Sequence, residues 1–178
     1  MRLHGRERGR ESGRIGALYG IRMIRPAIPS DVPAIFQLIT DLAAYEREPD
    51  AVHATVASLT ETLFAPHPHA ECIVPEHERR VVGLALFFTN FSTWSGKPGL
   101  YLEDLYVSPV ARGTGLGRAL LQHLAALAVE RRCARLEWSV LDWNETAIGF
   151  YKSLGAQPMD QWTVFRLDGD ALANLAAG

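Results

Sequence analysis

A single α/β domain is the fold class predicted by these 178 residues, and three observations predict it. Apolar runs of strand length cluster in the middle of the chain and recur near its end. Around them lie segments whose apolar residues return every three or four positions, the spacing of a helix face. A glycine-rich turn at 112–118 joins a strand pattern directly to a helix pattern. Length agrees, since domains usually run to ~100–200 residues and a chain of this size buries roughly 70% of its unfolded surface.

Composition narrows the classes further. Hydrophobic residues make up 48% and charged residues 21%, ordinary globular values that exclude disorder. No uncharged apolar run approaches the ~18 residues of a membrane span. The two cysteines, Cys72 and Cys133, are too few for a disulfide scaffold. They read as reduced thiols, which predicts a cytoplasmic protein. The net charge of −2 hides an asymmetry: residues 1–22 hold six arginines against Glu7 and Glu11, leaving −6 for the rest. Residues 1–22 are therefore expected to be a basic extension outside the fold, with the domain covering 23–178. Its acidic balance argues against a nucleic-acid partner, because neutralising phosphates takes a basic face.

Each element has its own signal. Ile21–Arg25 reads as a strand, stopped by Pro26 and Pro29. Ser30 is the expected helix N-cap, with Asp31 in the first turn and Ile35, Leu38, Ile39, Leu42 and Tyr45 as the apolar stripe. Pro49 closes that region. Thr55–Phe64 reads as a second helix, and His67 and His69 as exposed loop residues between prolines rather than metal ligands. Strands are expected at Glu71–Val74 and at Arg80–Thr89, the latter apolar enough for burial on both faces. Gly96, Pro98 and Gly99 mark a turn before a strand at Tyr101–Val107. Leu116, Leu120, Leu124 and Leu127 form the stripe of a helix ending near Arg131 and Arg132. A strand at Leu136–Leu141 follows, then a helix Glu145–Leu154 capped by Asn144 and stopped by Gly155. Trp162–Leu167 reads as a last strand and Gly169–Ala177 as a tail helix.

The chemistry concentrates at the glycine turn, Arg112-Gly113-Thr114-Gly115-Leu116-Gly117-Arg118. Glycines let backbone N–H groups turn toward one point, and the helix N-terminus adds about half a positive charge; together they suit a pyrophosphate. A dinucleotide fingerprint would need glycine at 118, and a Walker loop would need a final Gly-Lys-Ser/Thr, so both are excluded. What remains, Arg-x-x-Gly-x-Gly, resembles the coenzyme A loop of the GNAT acetyltransferase superfamily. Further strings extend the likeness: Leu-Tyr-Leu-Glu-Asp-Leu-Tyr-Val at 100–107, Val-Leu-Asp-Trp-Asn-Glu-Thr-Ala-Ile-Gly-Phe-Tyr at 140–151, Ile-Arg-Pro-Ala at 24–27 and Leu-Ala-Ala-Tyr-Glu at 42–46. In order and spacing these resemble the spermidine/spermine (diamine) acetyltransferase family.

That resemblance implies a GNAT fold with a mixed, mostly antiparallel sheet, acetyl-CoA as cosubstrate, a small amine substrate, and a homodimer without metal. It implies that Leu105, Tyr106 and Val107 pair with the pantetheine arm, and that Arg112, Gly113, Thr114, Gly115, Leu116, Gly117 and Arg118 wrap the pyrophosphate. Asn144, with Glu145, Thr146 and Ala147, would contact the coenzyme. Tyr151 would be the catalytic tyrosine, and Glu103 the substrate-side carboxylate. Tyr45 and Glu46, with Glu137, Trp138 and Ser139, would line the substrate. The residue chemistry fits these roles. Only about one alkylamine molecule in ~10³ is uncharged at pH 7, so the enzyme must take a proton, as Glu103 can directly or through water. Pairing with Arg135 is the structural alternative for that carboxylate. Asn144 and Tyr151 stand two helical turns apart, on one face. Cys133 has no framing His or acid, which favours direct transfer over an acyl-enzyme. A protein N-terminus, an amino-bearing antibiotic and a non-catalytic coenzyme sensor are the other readings.

Overall fold

The structure, a computed structural model, describes residues 21–178, with side chains from 23 onward. The expected basic extension thus lies outside the described residues, save for the backbone of 21 and 22. Two compact units make up the chain, one ending at Ser139 and one comprising Val140–Gly178.

In the first unit, β1 (Ile21–Pro26) leads through a short turn into α1 (Val32–Tyr45), followed by α2 (Val56–Phe64). β2 (Glu71–His77), β3 (Arg80–Val81), β4 (Gly83–Ser92) and β5 (Lys97–Val107) come next. α3 (Leu116–Glu130) then crosses to β6 (Leu136–Trp138). The sheet order is β1-β2-β4-β5-β6, with β3 on β2. Every pairing is antiparallel except β5–β6, the one join made by a crossover helix. This is the mixed, mostly antiparallel sheet that was expected.

Alternation along the strands divides the core. Leu84, Leu86 and Tyr106 pack with Ile35 and Leu38 of α1 and Leu63 of α2. Phe87 turns the other way, where Arg131 at the end of α3 lies over its ring at 5.9 Å. α3 buries Leu116, Leu120, Leu121, Leu124 and Ala128 along its stripe. Each such leucine contributes roughly 1.5–3 kcal/mol through the water it sheds. Arg25 fixes the start of α1 to the sheet, bonding Asp31 at 2.6 Å and Glu76 at 3.3 Å.

Several expectations need correction. Ser30 is not the cap of α1; Asp31 precedes the helix and its Oδ2 accepts the Ile28 N–H at 2.8 Å. The run Arg80–Thr89 is two strands, because its register against β2 slips by one residue between Val81↔Glu76 and Ala85↔Ile73, around Pro75, which has no N–H to give. Pro98 and Gly99 belong to β5, since β4 extends to Ser92 and pairs it with Lys97, leaving Gly96 (φ +62°) in the turn. β6 stops at Trp138 instead of Leu141. Its pairing with β5 ends at Leu102, where β5 bulges.

In the second unit, α4 (Glu145–Ser153) begins at Asn144, whose Oδ1 accepts the Ala147 N–H at 3.2 Å. Gly155, at φ +89°, ends it: its N–H bonds Lys152 and that of Ala156 bonds Tyr151, satisfying two terminal carbonyls. α5 (Gly169–Ala177) closes the chain as expected. Trp162–Leu167 forms no strand. A strand needs a neighbour for its backbone groups, this unit offers none, and Trp162, Val164 and Phe165 stay exposed.

Candidate active site

The glycine turn sits where β5 ends and α3 begins. Gly113 and Gly115 adopt φ of +77° and +82°, a region costly for residues with a Cβ. The first bond of α3 runs from the Ala119 N–H to the Gly115 carbonyl, so the N–H groups of Leu116, Gly117 and Arg118 have no helical partner. Gly117 is different from the other two. It has ordinary backbone, and a Cβ there would meet nothing within 4 Å. Nothing among the described residues demands glycine at 117, which fits a loop approached closely by an anionic group. Thr114 Oγ1 is committed to the Ala111 carbonyl at 2.7 Å and braces the turn. Arg118 is exposed on the first turn. Arg112 folds back instead: its Nε donates to the Val107 carbonyl at 3.0 Å, and its guanidinium lies 5.2 Å from the Tyr45 ring and 5.4 Å from that of Tyr106.

Immediately upstream, β5 carries the bulge. Phe87 pairs with Leu102 and Leu86 with Asp104, so Glu103 is the extra residue. A bulge redirects the side chains around it. Glu103 is exposed, and no ion pair to it occurs among the described residues; Arg135 pairs with Glu137 at 2.7 Å instead. Asp104 is the perturbed group. Burial pushes its carboxyl up to about 6, aided by the negative charges of Glu103 and Glu46. Burial also raises Glu46, at the C-terminal end of α1. Three carboxylates thus converge where the sheet meets that helix end, beside Tyr45. One of them holds or releases a proton near neutrality. Past Leu102 no β6 residue pairs with β5, so Leu105, Tyr106 and Val107 have β4 as their one strand partner.

Glu137 and Trp138 lie on β6, where successive side chains turn to opposite faces, and Ser139 follows directly after the strand. Tyr101 Oη lies 2.8 Å from Ser139 Oγ, and its ring stacks on Phe88 at 5.2 Å. In the second unit, Asn144, Ala147 and Tyr151 fall on one face of α4, with Glu145 and Thr146 exposed in the first turn. Asn144 spends its Oδ1 on the cap and keeps its amide nitrogen for another partner. Sequence reasoning singled out Glu103 and gave Asp104 no role of its own. The bulge that buries Asp104 has no sequence signature. Asn90, which donates to Glu137 at 3.0 Å, was missed as well. No metal-binding cluster is found among the described residues, nor any helix long and apolar enough to cross a membrane.

Comparison with known proteins gives the class. Residues 33–156 match the acetyltransferase (GNAT) family, and the chain belongs to that family. It is an N-acetyltransferase by family and by relatives. It is 38% identical to a thialysine N-epsilon-acetyltransferase of Bos taurus, over 86% of this chain and 96% of the relative. It is 32% identical to an L-ornithine N5-acetyltransferase of Arabidopsis thaliana, over 84% and 85%. Among solved structures, an integron cassette protein from the mobile metagenome of V. cholerae superposes with a TM-score of 0.75 at 29% identity, covering 88% of this chain and 98% of that one.

Proposed function

We propose that the chain transfers an acetyl group from acetyl-CoA to a primary amine of a small diamine-, polyamine- or thialysine-like substrate, by direct attack in a ternary complex. The observation that carries the reading is the bulge that sets exposed Glu103 against half-buried Asp104, directly before the glycine turn. Family membership and the thialysine relative support it; a protein N-terminal substrate, an antibiotic or a sensor role is not favoured.

Acetyl-CoA supplies the acetyl group as a thioester. Gly113 to Arg118 hold its pyrophosphate through N–H groups at the start of α3, and Leu105 to Val107 offer backbone to its arm. Asn144 contributes its amide nitrogen. The carboxylates do the work on the amine. It arrives protonated, and the negative field of Glu46, Glu103 and Asp104 attracts it. Glu103 accepts its proton, directly or through water, and Asp104 holds that proton at about the pH where the reaction runs. Tyr45 lies along the substrate, with its ring fixed by Arg112. The freed amine forms the C–N bond as the C–S bond breaks, Tyr151 donates a proton to the departing sulfur, and the second proton shed by nitrogen restores the tyrosine.

The test is free-thiol release from acetyl-CoA with putrescine, spermidine, spermine, thialysine, lysine and a short peptide, by wild type and Tyr151→Phe. Turnover of short amines, falling about 10²–10⁴-fold in kcat in the mutant with coenzyme binding retained, is expected. Silence with every amine while acetyl-CoA still binds overturns the reading in favour of a sensor. We also place the protein in the cytoplasm as a homodimer, which light scattering on the full chain tests.

A further inference from the structure

A second built feature lies on the same sheet face as Glu103. Glu137 Oε2 forms an ion pair with Arg135 Nε at 2.7 Å and accepts a hydrogen bond from Asn90 Nδ2 at 3.0 Å. Asn90 is on β4 and Glu137 on β6, so the amide has to cross β5 to reach the carboxylate. It crosses over Gly99. A Cβ at that position would collide with Asn90 Oδ1 and come within 3.3 Å of Arg135 Cγ. Glycine inside a strand weakens it, and here it makes room for both side chains.

The bonds leave a defined set of free groups. Both converge on one carboxylate oxygen. Glu137 Oε1 and the two terminal nitrogens of Arg135 have no partner among the described residues, and the side chains are 34% and 41% exposed. An ordinary surface ion pair contributes almost nothing and is held by nothing else. This one is fixed by a third residue and presents an acceptor beside a guanidinium fork. That combination complements an ammonium and a carboxylate on one carbon.

Position gives the length of the ligand. Glu137 pairs in register with Tyr101, two residues before Glu103 on β5. Two residues along a strand and one step across give about 8 Å between the backbones of Glu103 and Glu137. The side-chain amine and α-carbon of lysine are five bonds apart, roughly 6 Å when extended. Tyr101, its ring held by Ser139 and Phe88, stands on β5 between Gly99 and Glu103 and offers an aromatic surface suited to an aliphatic chain.

We propose that Arg135 and Glu137, fixed by Asn90 over Gly99, bind the α-carboxylate and α-ammonium of a basic amino acid whose side-chain amine is acetylated. The inference rests on the acetyltransferase reading above and narrows its substrate. Arg135 also rejects a plain diamine, whose far ammonium would meet a guanidinium. The experiment compares kcat/KM for lysine and cadaverine, which has the same chain without the carboxylate. Wild type favours lysine. Arg135→Gln lowers the lysine-to-cadaverine ratio by about tenfold to a hundredfold, chiefly through the KM for lysine. Arg135→Lys keeps the charge without the fork and recovers part of the ratio. A wild type indifferent to the carboxylate, or a ratio unchanged in both variants, overturns the subsite while cadaverine turnover upholds the acetyltransferase. No turnover of any amine overturns both.

Discussion

Asp104 is a carboxylate held well away from its ordinary titration. Its carboxyl titrates near 6 in the folded chain against an ordinary value of 3.8, because burial and two neighbouring carboxylates disfavour its charge. The unfolded chain gives up this proton first. Stability from the group is therefore fully present below about pH 4 and is lost as pH rises through 6. Asp104→Asn should raise the melting temperature at pH 7, by the equivalent of at most about 3 kcal/mol, with the gain vanishing near pH 4. Thermal melts of both proteins across pH 4–8 check this. Asp31 has the opposite sign. The Arg25 hydrogen bond holds its carboxyl below the usual range, so its contribution is present at neutral pH and is lost on acidification. Breaking a largely buried pair leaves the partner's charge stranded, and Asp31→Ala should cost about 3 kcal/mol at pH 7 and less near pH 3. Residue identity announced Glu103 and Tyr151 as candidates, because carboxylates and phenols carry recognisable chemistry. Which carboxylate is desolvated depends on neighbours 58 positions away along the chain in the case of Glu46, and no local pattern encodes that.

At the scale of elements, the glycine turn separates two demands. Gly115 needs its left-handed backbone, so Gly115→Ala should destabilise the fold by about 1–2 kcal/mol. Gly117 has helical backbone and open space above it. Gly117→Ala should leave the melting temperature equal or slightly higher, since alanine favours helices, yet weaken coenzyme A binding at least tenfold. Melting and calorimetric titration on the same samples separate these effects. The helices were legible because their periodicity, caps and stops are local: Asn144 caps α4 and Gly155 stops it as expected, and α5 spans Gly169–Ala177. Strand ends were not. The break at Val82 comes from a register slip against β2 around Pro75, and the short β6 from a bulge on its neighbour. Both causes lie on another strand. The expected strand at Trp162–Leu167 had the right residues and lacked a partner in its unit, which composition does not reveal.

For the whole molecule, the acidic balance outside the first 22 residues suits attraction of cationic amines, an effect that weakens with salt. The KM for lysine should rise about two- to fivefold between 0.05 and 0.5 M salt while kcat changes little. The central claim is that the carboxylate pair at the β5 bulge takes the proton from the amine. The most direct test is the pH dependence of kcat/KM for one turned-over amine in wild type and Asp104→Asn. Free amine alone gives a line of unit slope below neutrality. Wild type should steepen below about pH 6, where Asp104 takes up its own proton, and Asp104→Asn should be slower without this bend. An unbent wild-type profile, or the same bend in the variant, would contradict it.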